Sequence, residues 1–178
     1  MKTYDLIIIG SGGGLKLRAA ANLGMRVAVI EKEDMGGTCL NRGCIPSKML
    51  IHAAEEVEKM QELSKYFVEL GNSEFTFDWE RLVAETTGKV AGDAQNIERA
   101  YESGPVDLYK GHARFVSDKV IDVGDERMTA DKILIATGSR PHIPTIPGLK
   151  GSPFMTSREA LRVTDQPKKM LVIGGGYI

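Results

Sequence analysis

The run Leu6-Ile7-Ile8-Ile9, followed at once by Gly10-Ser11-Gly12-Gly13-Gly14, constrains the fold of this chain more than any other feature. Four consecutive apolar residues suit a strand buried on both faces of a parallel sheet, and a glycine cluster at its end makes a tight turn. A helix is predicted over residues 15–23, stopping at Gly24, and Arg26-Val27-Ala28-Val29-Ile30 supplies a second strand that closes on Glu31. Strand, glycine turn, helix and strand in that order make a βαβ unit. Such a unit offers unpaired backbone N–H groups at the helix N-terminus to a diphosphate, and places Glu31 to accept hydrogen bonds from the ribose hydroxyls of an adenosine.

The glycine spacing departs from the dinucleotide fingerprint, which has glycines at its first, third and sixth positions. Counted from Gly10, the third position is Gly12 but the sixth is Leu15. With Gly10 taken as the second glycine, Gly13 becomes the third and Ile8 stands where the first belongs. Both registers stay open. The segment reads as about two residues short, and removing two residues from a helix rotates the rest of the chain by roughly 200° and shortens the helix by roughly 3 Å. Either the loop compensates or residues have been lost from the sequence.

The only cysteines, Cys39 and Cys44, lie in Gly36-Gly37-Thr38-Cys39-Leu40-Asn41-Arg42-Gly43-Cys44-Ile45-Pro46-Ser47-Lys48. Positions five apart in a regular helix are too distant for a disulfide, whose Cα atoms lie within roughly 7 Å. A bond between them would need a local break, for which Asn41, Gly43 and Pro46 are suited. A net charge of −1 with scattered Lys and Arg excludes a broad positive field for nucleic acid or a membrane surface. The apolar run at 6–9 is too short for a signal peptide or a membrane span, so a cytoplasmic, reducing setting is expected. In that setting an isolated Cys pair is catalytic or metal-binding more often than a structural staple. Zinc is the weaker alternative, since no second Cys pair or nearby His completes a tetrahedral set, and no metal site is assigned.

The cysteine segment resembles the redox-active segment of the pyridine nucleotide-disulfide oxidoreductases, and within them is most similar to the dihydrolipoamide dehydrogenases, with mercuric and mycothione reductases close behind. The resemblance extends through Gly111-His112-Ala113, Ala136-Thr137-Gly138-Ser139-Arg140-Pro141, Ile146-Pro147-Gly148 and Val172-Ile173-Gly174-Gly175-Gly176-Tyr177-Ile178. It implies an incomplete α/β, Rossmann-like FAD-binding domain, a parallel sheet with helices plus a small antiparallel β-layer. It implies a Cys39–Cys44 disulfide, with Cys44 nearest the flavin and Cys39 exchanging with substrate. Gly10, Gly12, Gly13, Gly14, Glu31, Lys32, Gly37, Thr38, Lys48, His112, Ala113, Ala136, Thr137 and Gly138 are the implied FAD-binding residues. Lys48 would stand near the flavin ring, where positive charge favours the reduced, anionic form. NAD or NADP is the second implied cofactor, its site mostly beyond residue 178. The implied partners are a small dithiol or disulfide, or the lipoyl domain of a multienzyme complex, and a second copy in a homodimer. The alternatives are a mercuric, mycothione or glutathione-type reductase, or a flavin-binding redox module without turnover.

The rest of the chain carries weaker signals. Phe75-Thr76-Phe77-Asp78 reads as a loop leading to an N-cap, and residues 79–102 as a helix bent or interrupted near Gly88 and Gly92. Residues 106–109, 114–116, 119–123 and 126–129 alternate with Gly and Asp turns and are expected as short antiparallel strands. His52, His112 and His142 have no evident acidic partner. The family's acid/base histidine belongs to a C-terminal domain outside this sequence, so little turnover is expected of the chain by itself. Domain boundaries are expected at 1–148 for the flavin part, 149–168 for a Pro- and Gly-rich linker, and 169–178 for a strand opening a nicotinamide-binding domain.

Overall fold

The computed structural model describes residues 1–68 and 76–176. Phe75, at the start of the expected loop, and the terminal Tyr177-Ile178 lie outside the described residues. Two compact units divide the chain, Met1–Asn41 with Val90–Arg140, and Arg42–Lys89 with Pro141–Ile178.

The first unit is built on a six-stranded sheet of order β3-β2-β1-β6-β5-β4. The strands are β1 (Lys2–Ile9), β2 (Val27–Glu31), β3 (Val106–Lys110), β4 (Arg114–Ser117), β5 (Val120–Val123) and β6 (Glu126–Ile135). β1 is parallel to both β2 and β6, and β2 is parallel to β3. β6, β5 and β4 continue as an antiparallel meander. The apolar run of β1 is buried as its pattern requires, because its two faces feed different cores. Ile7 and Ile9 pack with Ala28 and Ile30 of β2 and with Ile121, Val123, Met128 and Ala130 of β5 and β6. Ile8 packs with Val27, Val29, Met35, Tyr101 and Val106.

Two strand expectations change. Residues 106–110 pair in parallel with β2 instead of joining the antiparallel group, because their apolar positions Val106 and Leu108 face the same core as Val27 and Val29. The strand expected at residues 126–129 runs on to Ile135, so the antiparallel layer is hydrogen-bonded to the main sheet and lies against the Ile7 side of β1. The helical turn after β1 falls where expected but is wound differently: Gly14–Arg18 is a 3-10 helix, and only Ala19–Asn22 (α1) is α-helical. A four-residue helix has almost no macrodipole, so the diphosphate argument based on a helix N-terminus does not apply here.

In the second unit, α3 (Cys44–Glu62) is a 19-residue helix that starts at Cys44. α2 (Gly37–Arg42) precedes it, and Gly43, with φ −145° and ψ −114°, breaks the two apart. α4 (Trp79–Glu102), whose residues 79–89 belong to this unit and 90–102 to the first, begins at the anticipated cap, where Asp78 Oδ1 accepts from Arg81 N at 3.0 Å. It runs unbroken past Gly88 and Gly92, against expectation. Its buried and half-buried positions Val83, Thr86, Val90, Ala94, Ile97 and Tyr101 form a stripe at helical spacing, and both glycines lie off it. Packing along such a stripe outweighs the roughly 1 kcal/mol that each glycine costs a helix. After the short α5 (Ser157–Ala160), residues 170–173 form no strand. No helix among the described residues is long and apolar enough to cross a membrane.

Candidate functional site

The carboxyl ends of β1, β2, β3 and β6 bring together most of the residues singled out in the sequence. This is the edge where open α/β sheets receive ligands, at the point where the strand order reverses, with β2 and β3 on one side of β1 and β6 on the other. Gly10 follows β1 with φ +104°, and a Cβ there would stand 2.3 Å from Ala136 O, so only glycine allows the ends of β1 and β6 to meet. Ala136 N donates to Ile9 O at 2.8 Å and extends that pairing. Thr137 and Gly138 continue from this point and are exposed. At the end of β3, Gly111 N donates to Glu31 O at 2.9 Å, His112 is exposed, and Ala113 packs on the core beneath.

Glu31 closes β2, and its carboxylate is fully engaged. Oε2 accepts from Ser11 N at 2.9 Å and from Ser11 Oγ at 2.7 Å. Oε1 accepts from Lys32 N at 2.8 Å and Glu33 N at 2.9 Å. Lys32 itself is exposed. Two further clasps were not anticipated. Asn41 is buried and its Nδ2 donates toward Asp34 O, Met35 O and Gly37 O at 3.0–3.2 Å, which shapes the loop entering α2. Tyr101 OH donates to Gly14 O at 2.7 Å and holds the glycine turn from α4. Burial pushes the Tyr101 hydroxyl up to about 12, with the Arg18 guanidinium acting in the opposite sense.

The start of α2 lies directly on the glycine turn. A Cβ at Gly37, whose φ is +66°, would stand 2.5 Å from Gly12 Cα. At Gly12 and Gly14, by contrast, added Cβ atoms would meet nothing within 4 Å, which leaves an open glycine surface beside Glu31. That surface and the adjacent acid fit the diphosphate and ribose of a dinucleotide, although the helix that normally completes the cradle is short.

Both cysteines are disulfide-bonded, and the chain has no others. The break anticipated between them is supplied by Gly43, with Cys39 in α2 and Cys44 as the first residue of α3. Asn41 serves as the loop clasp, and Pro46 lies inside the first turn of α3, where its missing N–H costs nothing. Thr38, Cys39, Cys44 and Lys48 are exposed. Among the histidines, His52 has an acidic neighbour after all: Nδ1 lies 4.0 Å from Glu56 Oε1 one helical turn on, with both side chains exposed. The i,i+4 spacing on α3 could have revealed this pair. Among the described residues no three His, Cys, Asp or Glu side chains gather as a metal-ligand set.

A parallel-sheet edge with a glycine turn and a carboxylate closing the second strand, in a chain whose disulfide sits at a helix break, defines an α/β domain of the dinucleotide-binding disulfide class. The chain belongs to the pyridine nucleotide-disulphide oxidoreductase family, which matches residues 4–178. A glutathione reductase from Nostoc sp. is 36% identical across 98% of this chain and 38% of its own length. A mercuric reductase from Staphylococcus aureus is 39% identical across 98% of this chain and 32% of its own, and a dihydrolipoyl dehydrogenase from Acholeplasma laidlawii 35% across 99% and 54%. The chain thus spans between about a third and a half of these relatives.

Proposed function

We propose that this chain carries the flavin-side, disulfide-bearing part of a FAD-dependent, NAD(P)-linked disulfide oxidoreductase of the dihydrolipoyl dehydrogenase type. The observation that carries this reading is the disulfide on Cys39 and Cys44 at a helix break, in a chain whose glycine turn and Glu31 share one sheet edge. A substrate thiolate attacks Cys39 Sγ, the Cys39–Cys44 bond breaks, and Cys44 leaves as a thiolate stabilised by the N-terminus of α3. The substrate's second thiolate then attacks its own sulfur in the mixed disulfide and releases Cys39. The substrate departs as a disulfide, two electrons poorer, and the cysteine pair holds those electrons with the protons shared between thiols and solvent. FAD held along Gly10, Gly12, Gly14 and Glu31 would supply two-electron transfer between this pair and a nicotinamide. Every step runs in reverse for a disulfide substrate.

In this reading Gly10, Gly12, Gly13, Gly14 and Gly37 line the diphosphate, Glu31 and Lys32 the adenosine ribose, and Thr38, Lys48, His112, Ala113, Ala136, Thr137 and Gly138 the remainder of the cofactor. The substrate is a small dithiol or the lipoyl domain of a multienzyme complex. Residues 1–148 form the flavin part, 149–168 a linker, and 169–178 the approach to a nicotinamide domain. A homodimer in the cytoplasm completes the proposal. A second reading, a flavin-binding redox module without turnover, is favoured by the 3-10 winding of Gly14–Arg18.

The test is the visible spectrum of the 178-residue chain after gel filtration with FAD, followed by addition of dihydrolipoamide. Stoichiometric flavin absorbance and a new long-wavelength band on reduction are expected, the band surviving Cys39→Ser and vanishing with Cys44→Ser. A chain that retains no flavin, and whose disulfide does not exchange with dihydrolipoamide, would sink the proposal. Lipoamide-dependent NADH formation by the whole protein separates the enzyme from the module.

A further inference from the structure

Ser11 is fully buried, and its hydroxyl joins three segments that are distant in sequence. It donates to Glu31 Oε2 at 2.7 Å and accepts from Gly36 N at 3.0 Å, while Ser11 N donates to the same Glu31 oxygen at 2.9 Å. Gly36 immediately precedes α2, which carries Cys39 as its third residue. One hydroxyl therefore links the glycine turn, the acid that ends β2, and the entrance to the cysteine helix.

The state of Glu31 makes this link responsive. A carboxylate offers about four acceptor positions, and all are taken here, two by Ser11 and two by the amides of Lys32 and Glu33. A diol that binds Glu31 must displace one of these donors. The amides are fixed by the backbone at the end of β2, whereas a serine hydroxyl rotates freely about its C–O bond. The Ser11 hydroxyl is the donor that yields: with its proton turned away its oxygen faces the Glu31 oxygen lone pair to lone pair, and a turn about Cα–Cβ that relieves this carries Oγ away from Gly36 N–H. A buried amide that loses its acceptor is left with a free-energy penalty, so the chain entering α2 loosens.

We propose that Ser11 is a positioning residue that couples the Glu31 carboxylate to the entrance of the cysteine helix, so that a vicinal diol on Glu31 weakens the hold on Gly36. The inference rests on the reading of Glu31 as the ribose acid, and it adds that nucleotide occupancy is transmitted to the segment bearing Cys39. By linkage the effect is reciprocal: a freed Gly36 favours diol binding.

The readout is hydrogen exchange at the Gly36 amide, monitored by NMR in the oxidised 178-residue chain, with the Ala28 amide in mid-sheet as control. Without ligand, Ser11→Ala is expected to speed Gly36 exchange about tenfold. Glu31→Gln is expected to act in the same direction, because the fixed amides of Lys32 and Glu33 hold the carbonyl oxygen at the Oε1 position and the NH2 falls against Ser11. The double variant should be no faster than Ser11→Ala, the mark of a shared path. In the wild type, saturating ADP should speed Gly36 exchange several-fold while 2′,3′-dideoxy-ADP, which has no diol, leaves it unchanged. Gly36 exchange in Glu31→Gln equal to wild type overturns the coupling, as does an additive double variant. ADP that binds by calorimetry and leaves Gly36 unmoved overturns it at Ser11, whereas failure of ADP to bind overturns it through its premise at Glu31. Should Ser11→Ala not fold, the Glu31→Gln and ADP measurements decide alone.

Discussion

The chain contains two apolar runs that end in glycines, and they have opposite fates. Leu6-Ile7-Ile8-Ile9 before Gly10 becomes the central strand of a sheet, with Ile7 completely buried. Leu171-Val172-Ile173 before Gly174 forms no strand, and Leu171 and Val172 are 87% and 72% exposed. The local patterns are nearly the same, so local propensity does not separate them. The difference lies in what surrounds each run. β1 has a hydrogen-bonding neighbour on both edges and a packed core on both faces, whereas no described residue pairs with 170–173. A strand is a tertiary object: its backbone groups are satisfied only by other strands.

A methyl group added at one glycine after each run should separate the two most strongly. Gly10→Ala forces a Cβ to within 2.3 Å of Ala136 O at a positive φ, whereas at Gly175 an added Cβ meets nothing within 4 Å. Strain and overpacking together predict a loss of about 4 kcal/mol for Gly10→Ala, and Gly175→Ala should leave the urea midpoint unchanged. Equal midpoints for the two variants would mean that the ends of β1 and β6 do not meet as described.

A truncation pair tests the apolar residues themselves. Ile7→Ala removes a fully buried side chain between β2 and the β5–β6 layer and should cost about 3 kcal/mol. Val172→Ala, at a mostly exposed position, should stay within about 0.5 kcal/mol of wild type. Equilibrium unfolding of both variants measures the contrast. A large loss at Val172 would show that the second run packs on something.

These comparisons also mark what could be read from the sequence. β1, β2, the turn between them, the Asp78 cap and the break before Cys44 rest on local signals such as apolar runs, glycine, and a side-chain acceptor before a helix. The roles of Ser11, Asn41 and Tyr101 rest on partners that no local pattern reveals. Ser11 reaches Gly36 across 25 positions, and Tyr101 reaches Gly14 across 87. Polar residues of these types occur throughout the sequence, and only burial distinguishes the ones that clasp. The strand expected at residues 170–173 and the kink expected in α4 failed for a common reason. Both were read from local preference, and tertiary packing, missing around the first and continuous along the second, decided the outcome.

The smallest effect concerns what anchors the first glycine turn. Tyr101 OH holds Gly14 O, and Tyr101→Phe deletes that bond without opening a cavity, at an expected cost of about 1 kcal/mol. Its signature lies in pH more than in size. The folded hydroxyl is pushed up to about 12, above the value of about 10 for an unfolded tyrosine. The folded state therefore holds this proton more tightly, so its contribution is complete below about pH 10 and is lost as pH rises through the folded value. Wild type should lose stability between these limits that Tyr101→Phe retains, and the gap between their urea midpoints should narrow across that window. A gap that stays constant with pH would mean that the Tyr101 hydroxyl is not the buried anchor of the turn.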